Sequence, residues 1–245
     1  MTQHIGIVAC SAEGAALCYR TICTEGPDFL GPYTHPEVSM HTPPLAKYVA
    51  CLEAGDWHGV GDLMLASAEK LAATGADFLI CPDNTIHQAF DHVAPRSTLP
   101  WLHIAEVVAE EAANRGFRNV ALTGTVWLVA SEVNPDKLTA RGILCSRPDP
   151  AARAEINRII MDELVHGIFT PDAVAYFQAT IDGLKERGCE AVILGCTEIP
   201  LIIGDENASL PTLDSTRLLA RAALSRAAGN PAPIPETSRR GPPRP

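Results

Sequence analysis

No apolar run in this chain approaches the length of a membrane span, and no charged leader precedes the first strand-like residues at His4. A cytoplasmic protein with no membrane partner is therefore expected. Basic residues are in the minority: 19 Lys and Arg stand against 29 Asp and Glu, for a formal net charge of −10. They are scattered, which leaves no stripe for a nucleic acid. The eight cysteines (Cys10, Cys18, Cys23, Cys51, Cys81, Cys145, Cys189 and Cys196) form no CxxC pair, and no histidine cluster has zinc spacing. Neither a glycine-rich dinucleotide fingerprint nor a Walker loop occurs. No metal and no organic cofactor is expected. Aromatic residues are only 5% of the chain, which puts the burden of the core on Ala, Val, Leu and Ile.

Those residues are plentiful, and 245 residues suffice for one large domain or two small ones. Strand-like and helix-like segments alternate. Strands are expected at His4–Ala9, Asp77–Pro82, Trp101–His103, Asn119–Leu122, Ile143–Cys145, Ala191–Leu194 and Leu210–Leu213. The intervening segments have helical apolar spacing, with Gly55 and Gly116 as breaks. Residues 26–44, rich in Pro, Gly and His, read as one long loop of the kind that covers an active site, with His35 and His41 as solvated loop residues. The tail from Gly229 holds six prolines and reads as disordered. The alternation predicts an α/β protein with mostly parallel sheets, its functional loops at the carboxyl ends of the strands.

An internal repeat locates the site more narrowly. Gly75-Ala-Asp-Phe-Leu-Ile-Cys-Pro-Asp83 aligns without a gap on Gly188-Cys-Glu-Ala-Val-Ile-Leu-Gly-Cys196. Asp83 then falls on Cys196, Asn84 on Thr197 and Thr85 on Glu198. Downstream, Leu99-Pro-Trp-Leu-His103 echoes Leu210-Pro-Thr-Leu-Asp214. The repeat predicts two similar Rossmann-like lobes about a pseudo-twofold axis: residues 1–98 with 209–228, and residues 99–208. Asp83 and Cys196 are expected to face each other across the cleft between them.

Two proton carriers on opposite faces of a small substrate suit stereochemical inversion. A thiol fits that work, since its reference pKa of about 8.5 can be tuned toward neutrality. An enolate developing from a substrate carboxylate needs donors. Backbone amides and hydroxyls of the loops Asn84-Thr85, Thr123-Gly124-Thr125 and Thr197-Glu198 are candidates, with Ser11 as a further substrate-binding residue, helped by the helix starts that follow. Glu198 either buttresses Cys196 or caps the next turn, and His87 is expected to support the loop or tune Asp83.

Leu194-Gly-Cys-Thr-Glu-Ile-Pro-Leu201 resembles the second cysteine signature of the aspartate/glutamate racemases, and Asn84-Thr85-x-His87 resembles the segment after their first catalytic cysteine. Ala54-Gly-Asp-Trp57, the stretch Glu155–Pro171 and Leu213-Asp-Ser-Thr-Arg217 extend the likeness over most of residues 4 to 225. The resemblance implies two lobes, cofactor-independent proton transfer by two cysteines, a small carboxylate substrate and a homodimer.

Two positions depart from that pattern. Asp83 stands where the family's first cysteine would be, while Cys81 lies two residues too early and reads as a buried strand thiol. The first loop, Ala9-Cys-Ser-Ala-Glu-Gly14, lacks the family's run of glycines, and Cys10 reads as a packed neighbour of the cleft or a relocated second thiol. The favoured expectation is a cofactor-independent racemase or epimerase of an amino acid or related carboxylate, using Cys196, with Asp83 either as the second acid/base or as a charge that tunes the thiol. The alternative is a single-cysteine decarboxylase or cis-trans isomerase of the same superfamily; a non-catalytic carboxylate-binding protein ranks third.

Overall fold

The computed structural model describes residues 2–229. The first half runs β1 (Ile5–Val8), α1 (Ala12–Leu30), β2 (Val38–His41), α2 (Leu45–Ala54), α3 (Trp57–Ala73), β3 (Phe78–Ile80), a 3₁₀ turn at Thr85–Ala89, α4 (Phe90–Val93), β4 (Trp101–Leu102) and α5 (Ile104–Asn114). The second runs β5 (Asn119–Thr123), α6 (Val126–Val129), α7 (Val133–Thr139), β6 (Leu144–Ser146), α8 (Pro150–Asp162), a 3₁₀ turn at Leu164–His166, α9 (Pro171–Glu186), β7 (Ala191–Leu194), a 3₁₀ turn at Ile199–Leu201, β8 (Thr212–Asp214) and α10 (Ser215–Ala227).

Each half forms a four-stranded parallel sheet, in the order β2-β1-β3-β4 and β6-β5-β7-β8. The two orders are the same permutation, so the chain is an α/β protein of two similar lobes. The registers agree as well. Ile80 pairs with Ile7 and Leu102, and Ile193 pairs with Leu122 and Leu213. Leu102 and Leu213 are the equivalent leucines of the Leu-Pro-x-Leu echo. The residues after them, His103 and Asp214, each cap the next helix through a side chain. The likeness extends to the helices: α2 ends at Gly55 and the turn after α8 ends at Gly167, both in the left-handed conformation. Asp56 and Thr170 then cap α3 and α9.

Apolar side chains cover both faces of each sheet, as buried parallel strands require. On the first, Ile5, Ile7, Phe78 and Ile80 pack on α1 and α10, while Val8 and Leu79 pack on α2 and α3. On the second, Val192 and Leu194 pack on α8 and α9, while Val120, Leu122 and Ile193 meet α5 and α7.

Three expectations change. Strand β4 pairs in the first sheet and β8 in the second, so the lobe boundaries expected at 98/99 and 208/209 miss one strand at each crossing. Helices α5 and α10 are shared: Ile104 and Leu219 join the first lobe's core, while Val108 and Leu218 join the second's. Residues 26–44 are not one loop, because α1 continues through Pro27 to Leu30 and β2 follows as an edge strand. Gly26 makes this possible: a Cβ there would lie 2.6 Å from the His35 Cβ, so only glycine lets the returning chain lie against the helix. The tail beyond Gly229, expected to be disordered, lies outside the described residues.

Candidate active site

Strands β1, β3, β5 and β7 all end toward one cleft of about 520 Å³, counted to its open mouth. Cys10 and Ser11 reach it from the end of β1, Asp83, Asn84 and Thr85 from β3, Thr125 from β5, and Cys196, Thr197 and Glu198 from β7. Asp83 and Cys196 occupy equivalent strand ends of the two lobes, and both line this cleft.

Asp83 is partly open to the cleft. Its Oδ1 accepts the Ile86 N–H at 3.0 Å, which turns the chain into the 3₁₀ segment. Burial, with the charge of Glu198 adding to it, pushes the carboxyl up to about 6, although bonds from the Ile86 and Thr85 backbone and the Cys10 thiol pull the other way. Cys10 is in turn held well above its ordinary value, chiefly by burial and then by Asp83, so it stays a neutral thiol beside the carboxylate. His87 does not reach the cleft. It hydrogen-bonds the Asp83 carbonyl at 2.6 Å through Nδ1, and its Nε2 accepts the Ile104 N–H at 3.5 Å. Together these bonds call for the neutral Nδ1–H form, and burial holds the ring well below the usual imidazole range. His87 thus ties the Asp83 loop to the start of α5.

Cys196 mirrors this arrangement. Its Sγ donates to Glu198 Oε2 at 2.9 Å, and Thr197 Oγ1 reaches the same oxygen at 3.3 Å. Burial first, then the Glu198 charge and hydrogen bond, raise the thiol well above its ordinary value. Each side of the cleft therefore pairs a thiol with a carboxylate: Cys10 with Asp83, and Cys196 with Glu198. Two acceptors at the site have no partner, Asn84 Oδ1 and Glu198 Oε1.

Direct bonds fix the lobes together here. Thr85 and Thr125 share a hydroxyl hydrogen bond of 2.9 Å, and Thr125 also caps α6 by accepting from the Leu128 N–H. Asn84 Nδ2 donates to Ser215 Oγ at 2.9 Å, which donates to the Leu194 carbonyl at 2.8 Å. Two glycines permit close approach. A Cβ on Gly14 would lie 2.0 Å from Thr197 Oγ1, and one on Gly195 would lie 2.5 Å from the Thr123 carbonyl.

Of the donors expected from sequence, Ser11, Asn84, Thr85, Thr125, Thr197 and Glu198 line the cleft, whereas Thr123 and Gly124 do not. The Thr123 hydroxyl is fully buried and donates to the Ile193 carbonyl at 2.8 Å, locking β5 to β7. Gly124 lies under Leu128 and turns the chain with φ 158°. His35 bonds the Pro36 carbonyl, and His41 lies between Ser67 and Lys70, away from the cleft. Cys81 is wholly buried in the first lobe's core. Sequence reasoning missed the cleft's apolar wall: Leu45, Val49 and Leu52 from α2, Trp127 from α6, and Ile160, Met161 and Val165 from α8 and the turn after it. Its only signal was the apolar face of each helix, which serves equally well for a core. Among the described residues no cluster of three or more His, Cys, Asp or Glu could hold a metal ion, and no helix is long and apolar enough to cross a membrane.

The family described as Asp/Glu/Hydantoin racemase matches residues 7–223. The broad specificity amino-acid racemase RacX of Bacillus subtilis (strain 168) is 26% identical over 165 residues, 66% of this chain and 70% of that protein. Among solved structures, a candidate Asp/Glu racemase from Yersinia pestis has a TM-score of 0.83 at 29% identity, covering 92% of this chain and 99% of its own. An aspartate racemase homologue from Pyrococcus horikoshii OT3 has a TM-score of 0.79 at 27% identity, covering 93% and 100%.

Proposed function

Since the chain belongs to the Asp/Glu/hydantoin racemase family and is an isomerase, we propose that it racemises or epimerises an amino acid or related small carboxylate without a cofactor, by proton transfer at the α-carbon between Asp83 and Cys196. One observation carries this reading: the two groups stand at equivalent strand ends of two like sheets and line a single cleft. At neutral pH the Asp83 carboxyl, at about 6, is mostly ionised and the Cys196 thiol is protonated. A substrate between them meets a base on one face and an acid on the other. The carboxylate takes the α-proton, the electron pair delocalises into the substrate carboxylate, and the thiol returns a proton from the far side. The opposite enantiomer uses the reverse protonation states. His87 positions the Asp83 loop.

Solvent-deuterium exchange with chiral analysis tests this. Cys196→Ser keeps the shape but carries a hydroxyl of far higher pKa, so inversion should fall by at least about a hundredfold, the usual contribution of a general acid or base. Inversion at near-normal rate in that variant would remove Cys196 from the mechanism.

Decarboxylation or cis-trans isomerisation is the second reading. It is favoured by Asp83 standing where the resemblance expects a thiol, which leaves Cys196 as the thiol at the paired strand ends. Carbon dioxide release from a substituted malonate, with protonation by Cys196, distinguishes it.

A further inference from the structure

The charges lining the cleft are of one sign. Asp83 and Glu198 are acids, and among the described residues no Lys, Arg or His lines it. One carboxylate can be held without a cation. The Ser11 hydroxyl accepts from the Gly14 N–H and keeps its own proton free, and the Thr85–Thr125 pair has a second hydroxyl proton to offer. A second carboxylate, at the end of a substrate side chain, would find no counter-charge on the cleft wall and two acids nearby. Where the side chain of a substrate must go, the wall is apolar. Leu45, Val49 and Leu52 of α2 face the cleft from one lobe, and Ile160, Met161 and Val165 of the equivalent α8 region face it from the other.

Resting on the racemase reading, we propose that the substrate has a single carboxylate and an apolar side chain, seated between α2 and α8. Leucine, methionine and phenylalanine have the required chemistry; aspartate and glutamate do not. Removing an apolar side chain from water rewards such a wall, while a carboxylate in its place loses hydration with no partner.

Two measurements decide this. The first is α-deuterium exchange over a panel of leucine, methionine, phenylalanine, aspartate and glutamate. The apolar amino acids should exceed the acidic ones in kcat/KM by about a hundredfold. Equal or faster exchange of aspartate or glutamate overturns the proposal and leaves the racemase reading standing. The second measures binding of 4-methylpentanoate and glutarate by calorimetry, which reads the pocket whatever the reaction. 4-Methylpentanoate should bind at least about tenfold more tightly, and Met161→Lys should narrow or reverse that ratio by placing a cation in the wall. Glutarate binding as tightly as 4-methylpentanoate to the unaltered protein overturns the proposal. If no amino acid exchanges at all, the racemase reading fails, and the calorimetric ratio still supports or overturns the apolar pocket.

Discussion

Replacing Asp83 by Asn removes a charge that the fold holds against its own preference. The carboxyl moves from 3.8 to about 6, chiefly because burial penalises the ionised form. A shift of about 2 units corresponds to about 3 kcal/mol at about 1.4 kcal/mol per unit. Part of the group faces the cleft and is screened, so only a part of this is realised, and the bond from the Cys10 thiol is already counted within the shift. Asn keeps the oxygen that accepts the Ile86 N–H. The net expectation is a stabilisation of about 1–2 kcal/mol above pH 7. The sign with pH follows from proton linkage. A carboxyl raised in the folded state binds more protons folded than unfolded between 3.8 and about 6, so wild-type stability falls as pH rises through that window. The advantage of Asp83→Asn should therefore be absent near pH 4, grow up to about pH 6 and level off above it. Urea unfolding of both proteins from pH 4 to pH 8 reads this directly. A variant less stable than wild type at pH 8, or a difference constant across the range, refutes the electrostatic account. The same variant should lose inversion, while exchange at the Cys196 face persists. A stabilising substitution that abolishes turnover would mark Asp83 as kept for chemistry rather than for the fold.

Glu198→Gln should lower the Cys196 pKa, because the Glu198 charge and its 2.9 Å bond both favour the thiol over the thiolate. Iodoacetamide labelling of Cys196, followed by peptide mapping at pH 7, should quicken several-fold, and an unchanged rate would contradict the pairing. Gly14→Ala drives a methyl to within 2.0 Å of Thr197 Oγ1 and should cost about 1–3 kcal/mol in thermal unfolding. Gly183→Ala, in the last turn of α9 with nothing within 4 Å, should instead gain about 0.5 kcal/mol.

How much of this was legible beforehand depended on the range of the interaction. The strand-helix alternation and the repeat are local patterns, and the repeat carried Leu102 and Leu213 to equivalent registers in the two sheets. The placement of Asp83 and Cys196 at equivalent strand ends that line one cleft follows from counting along like strands. Strand β2 was hidden because an edge strand is only half-buried and the alternation of Val38–His41 lasts just four residues within a stretch rich in Pro, Gly and His. The continuation of α1 was hidden because Gly26-Pro27 has the composition of a turn, and only the contact with His35 explains it. Thr123 resembled Thr125 in sequence, yet one hydroxyl is spent on the Ile193 carbonyl and the other faces the cleft. No short-range signal separates the two. The apolar wall comes from helices in both lobes, and a repeat of strands says nothing about which helical faces meet across it.

The two halves of the site are alike in position and unlike in energy, and the proposed racemisation must reconcile these facts. Cys10 beside Asp83 and Cys196 beside Glu198 give each lobe one thiol and one carboxylate. In the first lobe the carboxylate stands at the end of β3 and the thiol at the end of the neighbouring β1; in the second the thiol stands at the end of β7 and the carboxylate two residues on in the same loop. On the proposed mechanism the resting protein has its base on the Asp83 face and its acid on the Cys196 face. Readying it for the other enantiomer means protonating Asp83 and forming a thiolate beside Glu198, whose charge and hydrogen bond both oppose it. Enantiomers in water have equal free energy, so kcat/KM must be the same in the two directions at equilibrium. The energetic inequality of the faces can then appear only as unequal kcat values offset by equally unequal KM values. With an aspartate in the place of a second strand-end thiol, the proposed mechanism keeps two sides for proton exchange and gives up their symmetry of cost.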